Sequence, residues 1–142
     1  MNLKAKGTRL ERELLHMFHK EGFSPMRAAG SGSTILPCAD LIVAGKERIL
    51  AIECKGGKGK RYIEKRQVDE LVEFSKNFNA EPWVATRFDN NQWWFIEIDV
   101  LKKSKGGNYI ISLEESKKIG RTFEEILKYK KDTSFRDLLN KN

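Results

Sequence analysis

The sequence has little of what staples, ligates or anchors a chain. Only two cysteines, two histidines and three prolines occur among its 142 residues. No run of eighteen apolar residues exists, which excludes a membrane-spanning helix. Cys38 and Cys54 lie in or beside apolar runs, where a thiol behaves as a small buried hydrophobe. They read as reduced thiols of an intracellular protein and not as a disulfide framework. His16 and His19 are one helical turn apart, but with those two cysteines they match no zinc module in order or spacing. Met1 to Lys6 is basic without an apolar stretch behind it, so no secretory signal is expected. Gly56-Gly57-Lys58-Gly59-Lys60 lacks the spacing and the Ser or Thr of a phosphate-binding loop, so no nucleotide cofactor is expected.

What the chain does have is positive charge. Lys plus Arg is 27 against 20 for Asp plus Glu, a net charge of +7 with a pI near 9.4. That excess points to a polyanionic partner, most often nucleic acid. Hydrophobic residues at 39% and charged residues at 33% describe a globular chain. Its length suits one domain with its own core.

Thr8-Arg9-Leu10-Glu11 has the form of a capping box, followed by Leu10, Leu14, Leu15 and Phe18 on one helical face and Gly22 as a stop. Phe23 to Ala28 reads as a short edge strand because of Pro25, and residues 29–38 as a loop. The apolar runs Leu41 to Ala44 and Ile49 to Ile52 predict a hairpin buried on both faces, hence helices on both sides of a sheet. Residues 55–61 read as a basic glycine-rich loop, followed by a helix from about Glu64 bearing Val68, Leu71, Val72 and Phe78. Pro82 to Thr86 and Trp93 to Ile98 predict two more strands, and Thr122-Phe123-Glu124-Glu125 opens a last helix. The expected architecture is a single α/β domain with a central mixed sheet flanked by helices over residues 1–130. A polar, loosely ordered tail is expected over 131–142.

The informative residues are Asp40 and Glu53-Cys54-Lys55. Strand alternation puts Glu53 and Lys55 on one face and Cys54 on the other. A two-residue turn at Lys46-Glu47 pairs Gly45 with Arg48, and counting back sets Asp40 opposite Glu53. Opposed like charges, with Cβ atoms about 5 Å apart, destabilise a hairpin. A divalent cation reverses the sign, because carboxylate oxygens are what Mg²⁺ requires. Lys55 adds an ammonium that can orient a water or stabilise charge on a phosphate. A three-residue turn would slip the register and turn Asp40 away. Asp99 with Glu115-Ser116-Lys117 repeats the bare pattern but lacks an apolar strand, and reads as a solvated helical face.

Gly7-Thr8-x-x-Glu11-Arg12, Arg27-Ala28 followed by Ser31-Gly32-Ser33, Asp40 and Glu53-x-Lys55 together resemble the archaeal-type Holliday junction resolvases. Tyr62, Gln67 and Gly107-Asn108-Tyr109 extend the resemblance over most of residues 5–130. It departs at Ala39, where the family usually has proline; this changes backbone stiffness and removes no reacting group. The resemblance implies a restriction-endonuclease-like nuclease core that acts as a homodimer on four-way DNA junctions with Mg²⁺ or Mn²⁺. It implies Asp40 and Glu53 as metal ligands, Lys55 as the catalytic lysine, Glu11 as a further acidic catalytic residue and Ser31 as an active-site loop residue. Helix pattern alone would give Glu11 to the cap.

Six of the twelve residues from Lys55 to Arg66 are basic, with glycines at 56, 57 and 59. Lys58, Lys60, Arg61 and Arg66, with Lys4, Lys6, Arg9 and Arg27, are the expected DNA contacts. Trp83, Trp93, Trp94 and Phe95 read as core or subunit interface more readily than as base-stacking residues, with Trp93 and Phe95 as dimer-contact candidates. The expected function is metal-dependent junction cleavage in DNA recombination and repair, in the cytoplasm on nucleoid DNA. The alternatives are a same-core nuclease for flaps or sequence-specific duplexes, and a non-catalytic nucleic-acid-binding protein.

Overall fold

In the computed structural model, which describes residues 3–28 and 36–129, with only backbone for 3–5, the two apolar runs form an antiparallel hairpin. Its strands are β2 (Leu41–Gly45) and β3 (Arg48–Gly57). Lys46 and Glu47 turn it at φ of 52° and 63°, the positive values that a two-residue turn of this hand demands. Gly45 pairs with Arg48 and Leu41 with Ile52, so the register is the one that opposes Asp40 to Glu53. Ser31 and the tail beyond residue 130 lie outside the described residues.

The first helix, α1 (Leu3–Lys20), starts well before Thr8. Thr8 is therefore interior, and the capping box expected there does not exist. Gly22, at φ 89°, turns the chain into β1 (Ser24–Arg27), an edge strand beside β2 as Pro25 requires. A short strand, β4 (Arg61–Ile63), precedes α2 (Lys65–Phe78), which crosses over to β5 (Glu81–Phe88). The crossover makes β5 parallel to β3, with Glu53 beside Val84 and Lys55 beside Thr86. β6 (Trp93–Glu97) returns antiparallel after the turn at Asp89 to Asn91. The five-stranded order is β1-β2-β3-β5-β6.

Two strands that sequence periodicity does not reveal, β7 (Lys102–Lys103) and β8 (Tyr109–Ile111), join β4 in a small sheet ordered β4-β8-β7. The short helices α3 (Leu113–Ile119) and α4 (Phe123–Lys128) follow. At α4 the expected capping box is present: Glu125 N–H donates to Thr122 Oγ1 and Thr122 N–H to Glu125 Oε1, both at 3.1 Å.

Alternation along the central strands builds two cores. Leu41, Val43, Leu50, Ile52, Trp83 and Phe95 face Leu10, Leu14 and Phe18 of α1 and Ile126 of α4. On the other side, Ile42, Ala51, Val84 and Ile96 meet Val68 and Leu71 of α2 and Ile63 and Ile111 of the small sheet. Each fully buried Leu, Ile or Phe contributes roughly 1.5–3 kcal/mol. Val72 and Phe78 do not share this burial; they are 42% and 44% exposed, and Ser75 takes the inward position. Trp93 and Phe95, at 3% and 0% exposure, belong to the core and cannot supply a dimer contact.

A bidentate ion pair locks the layers. Arg48 Nε and Nη2 donate to Glu81 at 2.9 and 3.0 Å, and Nη1 donates to the Ile126 carbonyl at 2.7 Å. One arginine thereby joins β3, β5 and α4.

Candidate active site

The hairpin delivers Asp40, just before β2, and Glu53, in the middle of β3, to adjacent positions beside the sheet's most apolar segments. Cys54 N–H donates to Asp40 Oδ2 at 2.9 Å, which aims that carboxylate at β3. Burial first, and then the charge of Asp40, push the Glu53 carboxyl up to about 8. Burial also raises Asp40, against the lowering effect of the Cys54 N–H, and the charge of Glu11 raises it further. A side-chain hydrogen bond between the two carboxyl groups lowers Asp40 and raises Glu53. Two half-buried oxygen-rich groups thus already require one positive charge between them.

That requirement fits a hard divalent cation bound by two carboxylates, which keeps several waters on its remaining positions. No group of three or more His, Cys, Asp or Glu arranged as ligands occurs among the described residues. Lys55 lies close enough for its charge to lower both carboxyls. Glu11 reaches the same cluster from α1, and its interior place in the helix frees its carboxylate from capping. Arg27 Nε donates to Glu11 Oε2 at 2.5 Å and Nη2 to Thr8 Oγ1 at 3.3 Å. Arg27 is thus committed to holding Glu11, a role that sequence reasoning missed because the two residues are sixteen apart and on different elements.

Beside the carboxylates an open cavity of about 470 Å³ is lined by Lys6, Glu11, Lys55, Lys60, Arg61 and Tyr62, among others. Asp40 and Glu53 lie outside that lining, whereas Cys54 and Lys55, the two residues after Glu53, belong to it.

The expected basic loop is reshaped. β3 continues through Gly57, leaving only 58–60 as connection. A Cβ on Gly56 would strike the Arg87 carbonyl and the Leu10 side chain, so this glycine serves strand packing. Gly57, at φ 112°, has the Arg61 guanidinium against it, and Arg61 Nε donates to the Gly56 carbonyl at 3.0 Å. Only Gly59, at φ 76° with open space around it, keeps the freedom first assigned to all three.

Lys58, Lys60 and Arg9 are exposed. Lys6 pairs with Asp89 at 2.6 Å, and Arg66 with Glu70 at 2.8 Å, so those two carry less free charge than the sequence suggests. The side chain of Lys4 is outside the described residues. The motif residues Gln67 and Asn108 prove to be helix-start acceptors, for Glu64 N–H and Lys65 N–H, each at 3.1 Å. Ser116 of the repeated pattern is buried and hydrogen-bonded to Thr86 at 3.0 Å, on α3 as expected of a helical segment.

A mixed sheet that carries two carboxylates and a lysine on adjoining strands, beside a basic cavity, defines a nuclease-type α/β domain. The family profile described as archaeal Holliday junction resolvase (Hjc) matches residues 2–135. The crossover junction endodeoxyribonuclease Hjc of Methanocaldococcus jannaschii is 37% identical over 135 residues, covering 94% of this chain and 96% of that protein. Its counterpart from Archaeoglobus fulgidus is 35% identical over 130 residues, 87% and 96% of the two chains. The crystal structure of A. fulgidus Hjc, a Holliday junction resolvase, superposes with a TM-score of 0.76 at 31% identity, covering 84% of this chain and 98% of that one. The chain belongs to the archaeal Holliday junction resolvase family. Dependence on a divalent metal goes with membership of this nuclease family.

Proposed function

We propose that this protein is a structure-selective DNA endonuclease that resolves four-way junctions by phosphodiester hydrolysis, with Asp40, Glu53 and Lys55 as its centre. The observation that carries the reading is the cross-strand apposition of Asp40 and Glu53, a repulsion that folding does not need. Asp40 and Glu53 hold the cation, Mg²⁺ or Mn²⁺, which when bound supplies Lewis acidity and a water of lowered pKa. Lys55 places an ammonium where negative charge grows on the phosphate. Glu11, held by Arg27, keeps the cluster acidic from the α1 side. Ser31 joins the site on the resemblance alone.

Lys58, Lys60 and Arg9 make phosphate contacts that position the strand without reading its sequence. A junction has two strands to cut and one chain offers one such centre, which favours a two-fold homodimer. The setting is recombination and repair on intracellular nucleoid DNA. No helix among the described residues is long and apolar enough to cross a membrane.

The test compares a four-way junction with a duplex of the same sequence, in Mg²⁺ and in EDTA. Paired cuts in the junction, only with Mg²⁺, are expected. Equal cutting of the duplex would instead indicate a nuclease of this core with another substrate. Binding without cleavage of either DNA in Mg²⁺ would indicate a non-catalytic binder.

A further inference from the structure

The cavity beside Glu11 and Lys55 has one aromatic wall residue, Tyr62 of β4. Alternation along this three-residue strand sends Ile63 into the core and leaves Tyr62 58% exposed. The register extends its side into a row: Tyr62 lies opposite Ile110, and Ile110 opposite Lys102. The outer face of the small sheet thus runs from an aromatic ring at the cavity to a lysine two strand spacings away, about 10 Å. An exposed tyrosine is ordinary in itself. This one stands at the mouth of a cavity that also holds Lys55 and Lys60, and its ring contributes nothing to the core on the sheet's other face, where Ile63, Ile111 and Tyr109 are buried.

We propose that Tyr62 is a specificity-determining residue that stacks on the base beside the scissile phosphate. The inference rests on the junction-cleavage reading above and deepens it. Every base has a face that an aromatic ring can cover, so such a contact tolerates any sequence. It does discriminate structure. In a continuous duplex the base is held between two stacked neighbours, whereas at an open branch point it has a stacked neighbour on one side only and leaves its stack at lower cost. Tyr62 therefore rewards a substrate whose base is loose at the position where Lys55 meets the backbone. The hydroxyl has no part in stacking, so Phe serves as well as Tyr.

The experiment uses a junction with 2-aminopurine at the nucleotide next to the branch, bound in EDTA so that no strand is cut. The wild type and Tyr62→Phe are expected to change its fluorescence on binding, and Tyr62→Ala to leave it unchanged. Tyr62→Ala should also bind the junction about tenfold more weakly, the equilibrium value of one base–aromatic stack, with duplex binding within twofold of wild type. A Tyr62→Ala variant that retains the fluorescence change and the junction preference overturns this proposal alone, provided the wild type prefers junctions. Equal weakening on junction and duplex, together with a lowered melting temperature, also overturns it, since that marks a structural role. A wild type with no junction preference overturns the functional reading and this proposal with it.

Discussion

Cys54 donates its backbone N–H to Asp40 Oδ2 at 2.9 Å. The strand that presents Glu53 and Lys55 therefore also orients the carboxylate opposed to them. The centre is a property of one hairpin, and whatever sets the hairpin register sets the chemistry.

The first prediction follows from the raised carboxyl. Glu53 titrates near 8 in the folded protein against an ordinary 4.5. The folded state thus holds a proton that the unfolded state releases between those values, and stability without metal falls as pH rises from about 4.5 to 8. Melting temperatures in EDTA should decline across that window, and Glu53→Gln should flatten the decline and melt above wild type at pH 8. Parallel curves for the two proteins would contradict the assignment. Metal binding displaces the same proton, so apparent affinity should rise with pH over the same range.

A second prediction concerns the loop after β3. Lys58 and Lys60 are exposed and unengaged by the packing that occupies Gly56, Gly57 and Arg61. Replacing both lysines by Ala should weaken junction and duplex binding alike. The slope of log affinity against log salt should become shallower by about two units. An unchanged slope would make these lysines a solvated surface.

The third prediction concerns stability. Arg48 and Glu81 are 14% and 15% exposed along their side chains. Arg48→Ala leaves the part-buried Glu81 carboxylate with only the Trp83 Nε1–H donor, at 3.2 Å, and the Ile126 carbonyl without the Arg48 donor, at a cost of about 3 kcal/mol. Adding Glu81→Gln should restore part of it. Chemical denaturation of the single and double variants reads both changes, and a loss below about 1 kcal/mol would show the pair to be dispensable.

The hairpin was legible because its turn is short and its apolar runs are bounded, so counting residues from the turn sets Asp40 against Glu53. Glu11 was legible only through resemblance. Gly7 and the lysines before it do not look like helix interior, so local pattern placed the helix start at Thr8, whereas α1 begins at Leu3, a full turn before Gly7 and ahead of its first core residue, Leu10. Strands of two or three residues, β4, β7 and β8, are too short for period-two alternation to register. The place of Tyr62 at the cavity was therefore invisible in sequence. The pairing of Arg27 with Glu11 was not legible, because an arginine's partner on another element leaves no local signal.

The fourth prediction addresses subunit number. A heterodimer of one wild-type and one Glu53→Gln subunit, purified through two tags, should bind a junction normally and nick one strand without releasing paired duplex products. Resolution at both strands at wild-type rate, or a monomeric wild type on the junction, would rule out the two-site arrangement.

The most direct measurement is single-turnover cleavage of a saturating four-way junction in Mg²⁺ by wild type, Asp40→Asn and Glu53→Gln, with binding measured in parallel. The account predicts a loss on the order of 10³-fold or more in the cleavage rate of each variant, with junction affinity retained. Cleavage at wild-type rate by either variant would contradict the assignment of these two opposed carboxylates as the metal-holding pair.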